Sequence, residues 1–386
     1  MSAVVDQEFR ASLRETARGF LARSVPPAVV RAAVEDGEPP EAVAEEIVAL
    51  GWFGVEVPEE LGGLGAGFGE LAILLEEMGR CLYPGEFAAT AVLGIGGFLR
   101  GTGAQREEWL PALAAGERRA TAALTGPGGV PGELGVEAVE VEGGWHLSGA
   151  SGFVPGLLDL SDDDSVLVAA RQPATGDIEL FAVPPGAAGV SRLPQPAYDR
   201  TRRLGLLELE RVAVGRGDRI GEPGAGAAIA AELGDRAALA LAADCVGGAA
   251  RVLELTVEHL SVRHQFGRPI GSFQALKHRA ADMLLALEGS RAAVADAADR
   301  ELAAGAAAGP VSVAKSYAGD AYAHLAAEAI QLHGGIGFTW EHDLHLHLKR
   351  AQLDRALAGD SAWHRERLAA AALSGGRGSE ERSGDG

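Results

Sequence analysis

Apolar residues recur at helical spacing through the N-terminal part of the chain. Phe9, Leu13 and Ala17 repeat every four positions, which places them on one face of an α-helix. A glycine-rich stretch at 51–67 interrupts the pattern, and the helical period resumes after it. The pattern predicts an all-helical domain over residues 1–117.

The pattern changes to strict alternation in the middle of the chain. Val139 and Val141 alternate with glutamates, and Gly143 and Gly144 then precede Trp145. This is the pattern of a β-hairpin, in which glycines supply the positive φ of a tight turn. Further strands are predicted at 165–171, 178–184 and 206–215. We therefore expect a β domain, a barrel or sandwich, over residues 118–218.

Helical spacing returns in the C-terminal part. Leu239, Val246 and Leu253 are spaced by seven, which predicts one buried stripe on a long helix. Two further helices are predicted at 272–304 and 310–332. The sequence thus predicts a C-terminal helical domain over residues 219–373. The polar, glycine-rich segment 374–386 is predicted to be disordered.

Composition and charge narrow the classes of function. The net charge is −20, the pI is near 4.9, and no basic stripe is found, so binding to nucleic acid or to an anionic membrane is not expected. Cys81 and Cys245 have neither CxxC spacing nor a nearby His/Cys cluster, which disfavours zinc. The N-terminus has no long apolar run, so we expect a cytoplasmic protein without a signal peptide or membrane helix.

The segment 263–283, RHQFGRPIGSFQALKHRAADM, is the first candidate for chemistry. Arg263 follows the long helix and can bind a phosphate through two hydrogen bonds. Ser272 suits the N-cap of the next helix. The alternative is a helix–turn–helix corner with no binding role, in which Arg263 is simply exposed to solvent.

The segment 331–351, QLHGGIGFTWEHDLHLHLKRA, is the second candidate for chemistry. Gly334 and Gly335 allow a ligand to approach the backbone closely, and exposed N–H groups there can hold a pyrophosphate. Four histidines occur in the segment, but they lack the His-Glu-x-x-His pattern of a zinc helix, so no metal is expected. They are His333, His342, His345 and His347.

Together these two segments resemble the acyl-CoA dehydrogenase family. RxQFGxPIxxFQ followed by QxxGGxGFTWE is similar to the C-terminal motifs of that family, and 50–65, 74–80 and 109–125 are similar to its more N-terminal parts. The resemblance runs from about residue 5 to 373. It implies an α+β fold with an N-terminal helical domain, a middle β domain and a C-terminal four-helix bundle.

The resemblance also implies a reaction and a cofactor. The family binds FAD, removes two hydrogens across Cα–Cβ of an acyl-CoA with a glutamate as base, and is commonly reoxidised by an electron-transfer flavoprotein. Carried over by motif, the FAD contacts would be Arg263, Gln265 and Phe266, with Gln274 nearby. Contacts to FAD held by a neighbouring subunit would be Gln331, His333, Gly334 and Gly335. Such sharing implies a homo-oligomer or a heterotetramer.

The middle domain departs from the family pattern. Thr125 is retained, but Gly126 replaces the usual glutamate. Phe153 can still stack on a flavin, whereas Pro155 replaces a hydroxyl donor, and such donors tune flavin electronics.

The expected catalytic glutamate is also missing. Its usual position is Gly359, and the alternative position on the preceding long helix is Ala237. Asp360 is one residue from Gly359. Asp235 and Asp244 lie on the same helix as Ala237, and Asp244 is two helical turns beyond it on a similar face. Either Asp360 or Asp244 is a candidate base. Equally, Asp360 could cap the last helix and Asp244 could be a structural carboxylate.

Three hypotheses follow. The chain is a self-sufficient dehydrogenase subunit, a non-catalytic partner whose companion chain supplies the glutamate, or a flavin monooxygenase on the same scaffold, for which no positive feature is found. The GDxxxHRxRL pattern at 359–368 resembles subunits of actinobacterial heteromeric acyl-CoA dehydrogenases that lack the base.

Overall fold

The computed structural model describes residues 3–37, 39–300 and 308–380. Within these residues a helical N-terminal part, one mixed β-sheet and a helical C-terminal part follow one another along the chain. This order is the three-part α+β architecture that the sequence predicts. Among the described residues, no helix is both long enough and apolar enough to cross a membrane.

The N-terminal part is helical, as expected from its spacing. Its helices are α1 (Ala3–Ser24), α2 (Pro27–Asp36), α3 (Glu41–Ala49), α4 (Phe68–Arg80), α5 (Ile95–Phe98) and α6 (Gly103–Ala114). The glycine-rich stretch between α3 and α4 forms short 3₁₀ turns, Trp52–Gly54 and Glu59–Leu61. Helix α4 buries Leu71, Leu74 and Met78, which lie on its apolar face.

The middle part is a single curled sheet. Its strands are β1 (Ala120–Ala123), β2 (Val136–Val141), β3 (Gly144–Pro155), β4 (Ser165–Arg171), β5 (Ile178–Val183), β6 (Val190–Pro194) and β7 (Leu204–Gly215). The order is β1-β4-β2-β3-β7-β6, with β5 paired to β4. The predicted hairpin is confirmed, since β2 and β3 pair antiparallel with Val141 opposite Gly144. Strand β1 pairs parallel to β4.

The C-terminal part is built on the long helix that the seven-residue spacing predicts. Its helices are α7 (Gly226–Val262), α8 (Gln274–Ala298), α9 (Ala308–His333), α10 (Leu344–Ala356) and α11 (Ser361–Glu380). Helix α9 packs against the other four. Helices α4 and α7 cross at glycines, because a Cβ at Gly247 would overlap the backbone of Glu76. This close crossing joins the N-terminal and C-terminal parts.

One prediction about a helix end was wrong. Helix α8 begins at Gln274 with Phe273 at its N-cap, and the Ser272 hydroxyl caps nothing. The final helix continues to Glu380, into the segment for which the sequence predicts disorder. Residues 301–307, which include the predicted end of α8, and 381–386 lie outside the described residues.

Candidate functional site

A cavity of about 170 Å³ lies where the three parts of the chain meet. Helix α4, strands β1 and β3, helix α7 and the segment after α10 all contribute to its walls. Most of the lining is apolar, and Leu75, Phe87, Val92 and Leu241 are typical of it. The polar lining residues are Tyr83, Glu86, Thr125, Arg202 and Asp244. Such a space suits an aliphatic group with few polar contacts.

Two of the residues predicted to contact FAD line this cavity. Thr125 follows β1, and Phe153 lies on β3 in the left-handed region, with φ of 55°. The backbone N–H of Phe153 donates to Gln195 Oε1 at 2.5 Å. A Cβ at Gly129 would lie 2.7 Å from Phe153 Cδ2, so only glycine lets that loop pass over the ring. The neighbouring loop and Gln195 therefore hold Phe153 in a defined position.

The loop at the usual glutamate position is tightly held. Gly359 is buried with φ of 91°, and its carbonyl accepts a hydrogen bond from the buried Lys315 Nζ at 2.9 Å. The Ala358 carbonyl accepts from His364 Nε2 at 3.0 Å. His364 Nδ1 lies 3.1 Å from the Ser312 hydroxyl, so a neutral ring that donates to Ala358 and accepts from Ser312 satisfies both contacts. The loop therefore presents backbone to the cavity and no carboxylate.

We expect His364 to make stability depend on pH. Burial lowers the pKa of His364 from 6.5 to about 4, so between these values the unfolded chain binds a proton that the folded chain does not. Stability is fully present above pH 6.5 and is lost as the pH falls toward 4, by about 1–3 kcal/mol for this one group. Denaturant unfolding at several pH values measures it. The matched control is His364→Gln, whose side chain cannot titrate and whose stability should fall less over the same interval; identical slopes would contradict the assignment.

A buried ion network connects all three parts beside the cavity. Arg350 on α10 donates through Nε to Asp199 at 2.8 Å, through Nη1 to Asp244 at 3.1 Å and through Nη2 to the Tyr83 carbonyl at 3.1 Å. Arg202 donates to Asp354 at 2.8 Å and pairs with Asp244 at 3.2 Å. Asp199 and Arg202 belong to the middle part, and Tyr83 belongs to the N-terminal part. The network therefore fixes the relative positions of the domains.

The structure gives both candidate bases other partners. Burial alone would raise the pKa of Asp244, but the charges of Arg350 and Arg202 outweigh it and lower that pKa. An ionised carboxylate held by two guanidinium groups is a poor proton acceptor. Asp360 is exposed, and its Oδ1 accepts from Trp363 N at 2.8 Å, which caps α11. Both residues thus take the structural roles that the sequence left open as alternatives.

The remaining predicted FAD contacts lie far from the cavity. Helix α7 leaves the cavity wall at Asp244 and ends beside Arg263, about 28 Å away at 1.5 Å per residue. There Arg263, Gln265 and Phe266 are exposed, and Phe266 is 90% accessible. Strands β8 (His264–Gln265) and β9 (Arg268–Pro269) form a small hairpin with Phe266 in its turn, followed by the exposed Gln274.

The glycine-rich segment lies at this same end of α7. The His259 and His333 rings stack with centroids 4.3 Å apart, and His259 precedes Arg263 by about one turn. Gln331, Gly334 and Gly335 are exposed, whereas His333 is buried with Nδ1 2.7 Å from the Ala329 carbonyl. The structure thus brings the two motif segments together, away from Thr125 and Phe153. Within the described ranges no group of three His, Cys, Asp or Glu side chains is arranged to hold a metal.

Sequence reasoning missed one residue of the cavity wall and several that lie in the contacts around it. Glu86 lies in a Tyr-Pro-Gly-Glu segment that has only the signal of a turn. For Arg350 and Asp354 the sequence contains only a weak indication of a charged contact, since they are spaced by four on a helix whose other face is apolar. The sequence contains no indication of a role for Lys315, because its carbonyl partners, Arg355 and Gly359, are 40 and 44 residues away.

Comparisons with known proteins agree with this architecture. Residues 7–117 match the model of the acyl-CoA dehydrogenase N-terminal domain, and residues 224–373 match that of the C-terminal domain. Acyl-CoA dehydrogenase IpdE2 of Mycobacterium tuberculosis is 35% identical over 352 residues, covering 89% of this chain and 91% of IpdE2.

Two solved assemblies have the same fold. A variant of the Tcur3481–Tcur3483 steroid ACAD (acyl-CoA dehydrogenase) is 30% identical, with a TM-score of 0.85 over 96% of this chain and 99% of the other. The ChsE4–ChsE5 complex from Mycobacterium tuberculosis is 27% identical, with a TM-score of 0.84 over 93% of this chain and 96% of the other. Motifs, domain order and these relatives agree, and the chain belongs to the acyl-CoA dehydrogenase family of oxidoreductases.

Proposed function

We propose that the chain is one subunit of a heteromeric, FAD-dependent acyl-CoA dehydrogenase that desaturates the Cα–Cβ bond of an acyl-CoA. The glutamate that removes the α-proton would come from the companion chain. The observation that carries this proposal is Gly359, which is buried at φ of 91° where the family places its glutamate. The alternative position holds Ala237. The pairing of Asp244 with two arginines and the capping contact of Asp360 support a base from another chain.

The residues present fit a shared FAD site. Thr125 and Phe153 would meet the flavin end at the cavity, whereas Arg263 follows the far end of α7, about 28 Å beyond Asp244 of the cavity wall, and Gln331 lies on α9 near that same end. The separation supports two sites, each completed by a neighbouring chain. The Ser272 hydroxyl is buried at the Arg263 corner with no hydrogen-bond partner among the described residues, as expected where a ligand supplies one.

Exposed apolar residues at the Arg263 end of α7 support the proposal of a companion subunit. Val262, Phe266, Phe338 and Trp340 are large apolar residues between 67% and 90% accessible, an exposure typical of surfaces that are covered in an assembly. The names of two relatives of known structure, Tcur3481–Tcur3483 and ChsE4–ChsE5, each denote two chain types. We propose the same kind of pairing here.

The reaction would divide its roles between cofactor and protein. Bound FAD would accept the β-hydride, and an electron-transfer flavoprotein would be the expected electron acceptor. The apolar walls would exclude water from the acyl group. The fixed backbone of Ala358 and Gly359 would position the thioester end of the substrate.

The first experiment is expression of the chain alone and with a companion acyl-CoA dehydrogenase that retains the glutamate, followed by anaerobic addition of acyl-CoAs. We expect enoyl-CoA only from the pair. Enoyl-CoA formation by the chain alone would contradict the missing base and return Asp360 and Asp244 to consideration.

We expect Arg263→Ala to lower flavin occupancy in that pair. Loss of a charge-assisted phosphate contact should weaken FAD binding about tenfold or more, measured from the flavin-to-protein absorbance ratio after dialysis. Arg171→Ala is the control, since Arg171 is an exposed arginine on the β-sheet. Unchanged FAD affinity in the Arg263 variant would remove this residue from the site.

A further inference from the structure

Glu86 is a carboxylate on the wall of a largely apolar cavity, and neither the predicted chemistry nor the ion network uses it. Its Oε1 accepts a hydrogen bond from the Arg203 backbone N–H at 2.9 Å. Its Oε2 has no hydrogen-bond partner among the described residues and is not fully buried. Glu86 therefore keeps hydrogen-bonding capacity at a position that lines the cavity.

The position of Glu86 is fixed by its neighbours. The Tyr83 N–H donates to the Met78 carbonyl at 2.9 Å, and the Tyr83 carbonyl accepts from Arg350. A Cβ at Gly85 would overlap the Tyr83 ring, so the turn before Glu86 requires glycine. The Glu86 carbonyl then accepts from Ala89 N at 3.1 Å. A carboxylate held in this way is preorganised, unlike a mobile surface glutamate.

Glu86 also lies at the boundary between two spaces. It lines the apolar cavity and a second, larger one of about 660 Å³, whose lining includes Arg118, Arg119 and Arg203. An acyl group that fills the first cavity would end against this boundary. A plain hydrocarbon there would cover the carboxylate without satisfying it, which is unfavourable.

We propose that Glu86 is a specificity-determining residue that selects acyl groups bearing a hydroxyl along the chain, away from the thioester. This rests on the proposed function, because it assumes that an acyl-CoA enters the cavity. Burial raises the pKa of Glu86 to about 6, so at pH 7.5 the carboxylate is mainly ionised and accepts hydrogen bonds. A hydroxyl can donate to it, whereas a methylene cannot. Asp244, the other carboxylate of the lining, is already paired with two arginines.

The test is calorimetric binding at pH 7.5 to the purified protein, with its companion chain where required. The probes are 3-thiaoctanoyl-CoA and its 6-, 7- and 8-hydroxy derivatives, whose β-sulfur leaves no hydride to transfer. We expect one hydroxy derivative to bind about tenfold tighter than the parent. Glu86→Leu should abolish or reverse that preference, and Glu86→Gln should retain part of it, because the amide oxygen still accepts. Glu60→Leu, at an exposed carboxylate, is the control.

The outcomes separate the two proposals. Equal affinity for the parent and all hydroxy derivatives, or the same preference in Glu86→Leu as in the unmodified protein, overturns the role of Glu86 and leaves the dehydrogenase function intact. Absence of binding by every probe overturns the function as well. If Glu86→Leu fails to fold, Glu86→Gln and its ratio of affinities still decide the question.

Discussion

Ala237→Glu is expected to give this chain a base and raise its rate of enoyl-CoA formation by about 10²–10⁴-fold. Ala237 lies in regular helix α7 and lines the cavity, so a glutamate there needs no unusual backbone and its carboxylate can enter the cavity. The apolar surroundings should raise its pKa toward neutrality, which favours proton transfer near pH 7. The measurement is single-turnover enoyl-CoA formation by the assembled protein in which only this chain carries a possible base.

The matched controls are Ala237→Gln and Gly359→Glu. The glutamine has nearly the same shape and no basic carboxylate, so it should give no gain. Gly359→Glu should also give none, although it restores the residue of the usual family position. At φ of 91° an L side chain is strained, and a Cβ would lie 2.7 Å from Trp363 Cε3 and 3.1 Å from His364 Nε2. We expect a loss of about 1–3 kcal/mol of stability. Equal rates for Ala237→Glu and Ala237→Gln would contradict the idea that the cavity lacks only a base.

The contrast between these positions shows what sequence could and could not predict here. The resemblance to the family predicted Gly359 and Ala237 as the two places where a carboxylate is missing. The sequence did not reveal that the Gly359 loop is held by Lys315 and His364, because those contacts join distant segments. A short motif predicts local backbone and residue type, whereas the partners of a side chain depend on packing.

The fold shows the same difference between what a local sequence pattern predicts and what depends on packing. The alternating segment predicted the β2–β3 hairpin, but the buried residues of β2 are Val136 and Ala138, whereas Val139 is 52% exposed. Strand β1 was missed, since all four of its residues are buried and small and show no alternation. Strand β6 was missed because it is a short edge strand that ends at Pro194. The two motif segments were found by sequence, but their separation from the cavity that holds Thr125 and Phe153 became evident only from the length of α7.

Arg350→Ala is expected to reduce the free energy of unfolding by about 3–5 kcal/mol. The side chain is 1% exposed, and its guanidinium contacts Asp199, Thr201, Asp244 and the Tyr83 carbonyl. Its removal leaves two buried carboxylates with less compensation and one carbonyl without its donor. Because these groups belong to three domains, the loss should also loosen the cavity. Chemical denaturation measures the free energy of unfolding. A lower affinity for 3-thiaoctanoyl-CoA would show that the cavity has loosened.

Two control variants show which property of Arg350 stabilises the protein. Arg350→Lys tests its charge without its geometry, and Arg300→Ala tests the loss of an arginine from an exposed pair. Lysine keeps the positive charge, but a single ammonium cannot reproduce a planar guanidinium that donates in several directions, so Arg350→Lys should recover only part of the lost stability. Arg300 forms an exposed pair with Asp296 four residues earlier on the chain, and its removal should change stability little. A loss below about 1 kcal/mol for Arg350→Ala would mean that the buried network contributes little net stability, because the cost of burying its charges offsets their attraction. In that case the crossing of α4 and α7 at Gly247, rather than the ion network, would hold the domains in register around the cavity.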